Sequence, residues 1–287
     1  MTTLLAYPNV SEGRDADVVA AIADAFGPGL LDVHTDADHH RSAYTLAGAP
    51  GELAAAVMDG AARVVQLVAL GGHDGVHPRV GAVDVAPIIH LTAQDRGAAS
   101  AEALLLADRL GEELALPVFL YGELAGGRTR AGLRRGGVEA LSARMRFGEL
   151  VPDFGPRVPH PSAGAVLVAA RAPLVAFNLV LEPPAGLEQA RAIAARIREG
   201  GPEGLAAVRA IGVALSRRGL AQVSTNIDDP ECTTPAQVLA AVGRHATVAE
   251  AELVGLAPAA ALADWPAELE LGGRATIENM LARRATA

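Results

Sequence analysis

The strands of this chain are apolar on both parities. Val83, Val85, Ile88 and Ile89 occupy both parities of one extended run, as do Val166, Leu167 and Val168, and then Val175, Phe177, Leu179 and Val180, in two later ones. Successive side chains of a strand point to opposite faces, so such runs need cover on both sides of their sheet. The surrounding pattern supplies helices for one side. Leu4 to Tyr7 is a short apolar run ended by Pro8, and Ser11 is placed to cap a helix from about Asp15 to Phe26, which Gly27-Pro28-Gly29 stops. Leu30 to Val33 and Ala43 to Ala47 read as strands. Glu52 to Leu70 carries helical spacing at Leu53, Val57, Ala61, Val64, Val65 and Val68, and Val83 to Leu91 is the next strand. This βαββαβ order is the ferredoxin-like pattern, with two helices on one face of an antiparallel sheet.

A helix near Ala98 to Leu114 and a strand at Pro117 to Tyr121 extend the first half. Residues 126–162 then change character. Arg128, Arg130, Arg134, Arg135, Arg144 and Arg146 are interleaved with glycine, and Pro152, Pro156, Pro159 and Pro161 follow, which reads as a crossing between domains. The second half opens with strands at Ala165 to Ala170 and Leu174 to Leu181 and a helix near Leu187 to Arg198. Strands at Val208 to Ser216 and Ala221 to Asn226 flank Arg217-Arg218-Gly219, and a helix follows from about Pro235 to Val242. The expectation is an α+β chain of two ferredoxin-like sandwiches, residues 1–162 and 163–287. Their sheets face each other across a ligand tunnel, because sheet against sheet covers the remaining faces and clefts between domains are preferred ligand sites. A chain of 287 residues, 51% apolar, is long enough for two cores.

Composition removes whole classes of function. The net charge of −9, without a basic run, argues against a nucleic-acid partner. All 24 basic residues are arginine, so a P-loop lysine, a Schiff-base lysine and a lysine general base are excluded. No apolar run is long enough for a membrane span and no N-terminal leader pattern is present, so a cytoplasmic protein away from membranes is expected. Cys232 stands alone, which excludes an intramolecular disulfide and a cysteine-based zinc site and fits a reducing compartment.

Two segments can carry chemistry. His73-Asp-Gly-Val-His77-Pro-Arg-Val-Gly-Ala-Val-Asp84 joins a helix to a strand. Pro78 holds the backbone of His77 extended, and Arg79 can fork onto a carboxylate. A capping or surface histidine is the alternative reading of His77. The other segment, Asp32-Val-His34-Thr-Asp36-Ala-Asp38-His39-His40-Arg41, lies on a turn between strands. It offers oxygen and imidazole ligands without a recognised ligand spacing, and such residues also populate solvated hairpin turns, so no metal is expected.

These segments resemble a family. The frame His-x-Gly-x-His-Pro-Arg-x-Gly-Ala-x-Asp is similar to the signature loop of the formiminotransferases. Pro8-Asn-Val-Ser-Glu-Gly13, Asp38-His39-His40-Arg41-Ser42, Pro117-Val-Phe-Leu-Tyr-Gly-Glu123, Pro152-Asp-Phe-Gly-Pro156, Leu174-Val-Ala-Phe-Asn178, Gln222-Val-Ser-Thr-Asn226 and Glu252-Leu-Val-Gly-Leu256 follow in the family's order. The resemblance spans essentially the whole chain. It implies transfer of a formimino group between N-formimino-L-glutamate and tetrahydrofolate as co-substrate, in histidine degradation, by a homodimer without a fused cyclodeaminase.

The resemblance further implies His77 as the catalytic histidine, and folate contacts at Gly164, Ala165, Ala170 and Arg171. A histidine titrating near neutrality can take the incoming amine's proton and return it to the leaving nitrogen. Asp36 or Asp38 is the candidate partner of the cationic amidine, and Arg41 or Arg79 that of the acceptor's carboxylates. The chain departs from the family at Asp74, Val76, His40 and Ala170. Rival readings therefore stay open: a related folate-dependent transferase acting on another amine or on 5-formyltetrahydrofolate, a non-catalytic folate-binding protein, and a metal-dependent amidohydrolase.

Overall fold

The computed structural model describes residues 2–286, which form two units, one ending at Ala172 and the other beginning at Pro173. In the first unit, strands β1 (Leu4–Ala6) and β2 (Asn9–Val10) are one line of chain broken around Pro8, which has no N–H to offer a ladder. Helix α1 (Ala16–Phe26), strands β3 (Leu30–Asp36) and β4 (Arg41–Gly48), helix α2 (Leu53–Leu67) and strand β5 (Val83–His90) follow. Both β1 and β2 lie between β4 and β5, and β3 lies outside β4, all antiparallel. The first unit continues with helix α3 (Arg96–Glu113), strand β6 (Val118–Leu120), helices α4 (Arg130–Arg134) and α5 (Gly137–Arg146), and strand β7 (Val166–Arg171). Strand β7 pairs parallel with β5 on one side and β6 on the other, so the sheet is mixed.

Helix spacing decides what covers the first face. Ile22 and Phe26 of α1, Val57, Ala61 and Val64 of α2 and Leu106 and Leu110 of α3 are buried against Leu4, Tyr44, Leu46, Ile88, Val166 and Val168. Helix α2 lacks a side-chain cap of its own, and Glu102 of α3 replaces it, accepting from Gly51 N and Ala54 N at 2.7 Å each. A buried carboxylate there satisfies N–H groups otherwise left open at the helix N-terminus and complements its dipole.

The structure corrects three sequence-based readings. Residues 126–162 do more than cross between domains. They build α4 and α5, and Leu133, Leu141 and Met145 pack with Val85, Phe119, Tyr121, Leu167 and Ala169 on the side of the sheet away from α1, α2 and α3. Helices therefore cover part of the face that was expected to need another sheet. The strand at 166–171, placed at the head of the second half, belongs to the first unit, because its ladder partners are β5 and β6. Asp15, and not Ser11, caps α1, its Oδ1 accepting from Asp17 N and Val18 N at 3.0 and 3.1 Å.

The second unit runs β8 (Val175–Leu181), α6 (Leu187–Ile197), β9 (Val208–Leu215), β10 (Leu220–Ile227), α7 (Pro235–Gly243), β11 (Val248–Leu253) and α8 (Ile277–Thr286). With β7 assigned to the first unit and β11 added, the expected ββαββα order becomes βαββαβ. The sheet order is β11-β8-β10-β9, antiparallel throughout. Val175, Phe177, Leu179 and Leu181 face α6 and α7. The opposite parity carries Asn178 and Gln222, both buried. Thr234 caps α7 with a reciprocal Gln237 contact.

Candidate active site

The β3–β4 hairpin and the 68–82 loop meet in the first unit. Asp36 ends β3, and its Oδ1 accepts from His39 N at 2.8 Å, which closes the turn. Asp38 is buried, and its carbonyl accepts from Val76 N at 3.2 Å. His40 adopts the left-handed region (φ 49°) and stacks on His73, ring centroids 4.2 Å apart. Gly75 N donates to His73 Nδ1 at 3.2 Å, so the proton of the neutral ring sits on Nε2 and points to His40 O at 3.1 Å. Burial, helped by the charge of Arg79, pushes His73 down to about 4, which keeps that tautomer neutral. Arg79 Nη2 donates to Gly75 O inside the loop. On the outside, Arg14 pairs with Asp74 at 2.5 Å and donates from Nε to Ala37 O at 2.9 Å.

Asp84 is the electrostatic centre, fully buried at the start of β5. Its Oδ2 takes Arg41 Nη1 at 2.7 Å and also Arg134 Nη2, while its Oδ1 accepts from Val80 N at 2.8 Å. Arg41 is further held by Asn9 Oδ1 at 2.9 Å. Burial opposes the Asp84 charge, yet the guanidiniums of Arg134 and Arg41 outweigh it and hold the carboxyl below its ordinary value.

His77 lies in this field. It is partly buried, with Nδ1 wholly shielded and without a hydrogen-bond partner, and its ring centroid is 5.9 Å from that of His39. Burial first, then the charges of Arg41 and Arg134, lower its pKa well below the ordinary value. A neutral, shielded imidazole among cations can take a proton from a reacting amine and release it readily.

Close backbone approach locks the loop's far side to residues 163–165. Ala82 N donates to Ala163 O at 2.9 Å and Ala165 N to Val80 O at 3.0 Å. A side chain on Gly81 would collide with the Ala165 carbonyl, and Gly164 takes a left-handed φ of 71° against Val80 O. Gly164 and Ala165 therefore reach the histidine loop. Ala170 and Arg171 lie at the other end of β7, roughly 20 Å away at strand rise. There they sit opposite Ile88 and Ile89, with Ala170 in the core.

The structure thus gathers His77, Asp84, Arg41, Arg79, Asp36, Asp38, Gly164 and Ala165 around the loop and leaves Ala170 and Arg171 apart. His39, from the hairpin segment already read as able to carry chemistry, joins them, and so do Asn9 and Arg134, which the sequence did not mark as site residues. Asn9 lies in a quoted motif and gave a signal. Arg134 comes from a short helix 50 residues beyond Asp84 and gave none. No cluster of three or more potential ligands that could hold a metal ion occurs among the described residues. Among those residues, too, no helix is long and apolar enough to cross a membrane. Cys232 is exposed, and its hydrogen bond to Asp229 raises the thiol pKa, the wrong direction for a nucleophile.

Comparison with known proteins bears on most of the chain. Residues 3–171 match the model of the formiminotransferase domain, N-terminal subdomain, and residues 176–267 that of the formiminotransferase domain. The glutamate formimidoyltransferase of Streptococcus pyogenes serotype M1 is 35% identical over 272 residues, covering 90% of this chain and 89% of that protein. Its counterpart in Thermoplasma acidophilum is 32% identical, covering 92% and 91%. The formimidoyltransferase-cyclodeaminase of Sus scrofa is 39% identical over 274 residues, covering 90% of this chain and 50% of that protein. The chain spans about half the length of the vertebrate relatives it matches.

Proposed function

Because the chain belongs to the formiminotransferase family, we propose that it transfers a formimino group between N-formimino-L-glutamate and tetrahydrofolate, a one-carbon step of histidine degradation. The observation that carries the reading is His77, its Nδ1 shielded from solvent, on a loop anchored by Asp84. In the transfer, N5 of tetrahydrofolate attacks the amidine carbon, and a tetrahedral adduct forms. His77 takes the proton that N5 loses and returns it to the glutamate nitrogen, whose bond to the carbon then breaks. No covalent enzyme intermediate is needed.

The other assignments rest on the same proposal. Arg79 suits the substrate's carboxylates better than Arg41, which is already engaged by Asp84 and Asn9. Asp36 and Asp38 are the candidate partners of the amidine cation. Gly164 and Ala165 suit folate contacts beside the histidine loop. The middle of β7 is packed on both faces within its own unit, so a folate would meet that strand only at its ends, with Arg171 at the distal one. The ferredoxin-like description of the sandwiches is supported by βαββαβ order in each unit. The ligand tunnel, the homodimer, the absence of a required metal and the cytoplasmic location are part of the same proposal.

The test is an assay of the purified protein with N-formimino-L-glutamate and tetrahydrofolate, followed by the absorption of 5-formiminotetrahydrofolate. Product formation is expected. Tetrahydrofolate binding without product would favour a folate-binding protein, and turnover only with 5-formyltetrahydrofolate or another amine a related transferase.

A further inference from the structure

We propose that Arg134 is a positioning residue for His77: it completes a two-guanidinium clamp on Asp84 that fixes the 77–84 segment and leaves one unbalanced positive charge inside it. This deepens the transferase reading and rests on His77 as its proton carrier.

The clamp draws on three separated parts of the chain. Asp84 Oδ2 is shared by Arg41, from the start of β4, and by Arg134, from the end of α4, and its Oδ1 holds Val80 N, three residues from His77. Helix α4 is only five residues long but is fixed at both ends. Thr129 Oγ1 accepts from Gly132 N at 3.1 Å, and Arg144 of α5 donates to Gly132 O at 3.1 Å and also to Leu133 O. Both arginine side chains are only 11% exposed, so their charges are poorly screened by solvent.

One carboxylate facing two guanidiniums leaves a net charge of +1, and Arg134 Nε is buried without a partner. For packing or loop anchorage alone, a balanced Arg41–Asp84 pair would suffice. The extra guanidinium has a consequence for His77, whose charge is felt by Arg41 from β4, Arg134 from α4 and His39 from the hairpin turn. Asp84 is neutralised by the first arginine, so the second disfavours a proton on the ring. The imidazole then gives up the proton it accepts, which suits a shuttle that must return it within one turnover.

The experiment is an NMR pH titration of isotopically labelled protein, with the His77 ring resonances assigned by comparison with His77→Gln, alongside the pH profile of kcat/KM. In the wild-type protein His77 should titrate below the ordinary histidine value. Arg134→Gln can still hydrogen-bond to Asp84 but lacks the charge, and should raise the titration by about one pH unit, the low end for a nearby charge. The acid limb of kcat/KM should move by the same amount, and Arg134→Lys should restore the wild-type midpoint.

A midpoint unmoved in Arg134→Gln, or a wild-type His77 that titrates at or above the ordinary value, overturns the proposal. The wild-type measurement decides even where a variant fails to fold. A titration that moves as stated in a protein forming no 5-formiminotetrahydrofolate would leave the clamp standing and refute the transferase reading. Normal transfer with an unmoved titration would do the reverse.

Discussion

His77 serves the proposed transfer only as an uncharged ring, since a protonated imidazole has no lone pair for the incoming amine's proton. Its pKa is lowered, so the ring is neutral throughout the physiological range, and the rate should rise with pH only below the ordinary histidine value of 6.5. His77→Ala should reduce kcat by about 10² to 10⁴, the range for a lost positioned acid or base, while tetrahydrofolate affinity stays near wild type. Steady-state kinetics and folate titration of the variant check this, and near-normal turnover would sink the assignment. His73 stands in contrast. Its Nδ1 and Nε2 are both engaged by backbone groups, so it shapes the loop and has no free nitrogen for chemistry.

At the scale of elements, the segment least legible in the sequence is the one with the largest structural consequence. Arg128 to Arg146, rich in arginine and glycine, has the composition of a crossing, yet Leu133, Leu141 and Met145 are buried against the sheet. Only three apolar anchors, spread over two short helices, mark its inner face, too few to register as a period. Leu141 is fully buried, so Leu141→Ala should cost about 2–5 kcal/mol in urea unfolding, the usual range for emptying a packed leucine site. A loss near zero would return the segment to the status of a linker. By contrast, α2, α6 and the paired strands β9 and β10 were readable to within a few residues, because Val57, Ala61 and Val64, or Val208 to Leu215, repeat on one period. The site was legible in part for a different reason. His77, Arg79 and Asp84 lie on one short segment, whereas Arg134 reaches Asp84, and Asn9 reaches Arg41, only through folding.

For the whole molecule, the histidines with lowered pKa, His40, His73 and His77, all belong to the first unit, and this sets its response to acid. A lowered folded-state pKa means that the unfolded chain binds the proton first as pH falls. The stability is therefore complete above about 6.5 and is lost as pH drops through the folded values, that of His73 being about 4. Hydrogen exchange, corrected for its intrinsic pH dependence, should show weakened protection in the hairpin and histidine loop at about pH 5 relative to neutrality. Unchanged protection there would refute the linkage. The first unit also has a consequence for its own synthesis. Strand β7 lies between β5 and β6 but leaves the ribosome after both, so β6 has no strand to pair with while the chain between them is being made. Until residue 171 has emerged, β5 and β6 each present an open hydrogen-bonding edge to the crowded surroundings of the tunnel exit, and the last strand of the unit acts as its keystone.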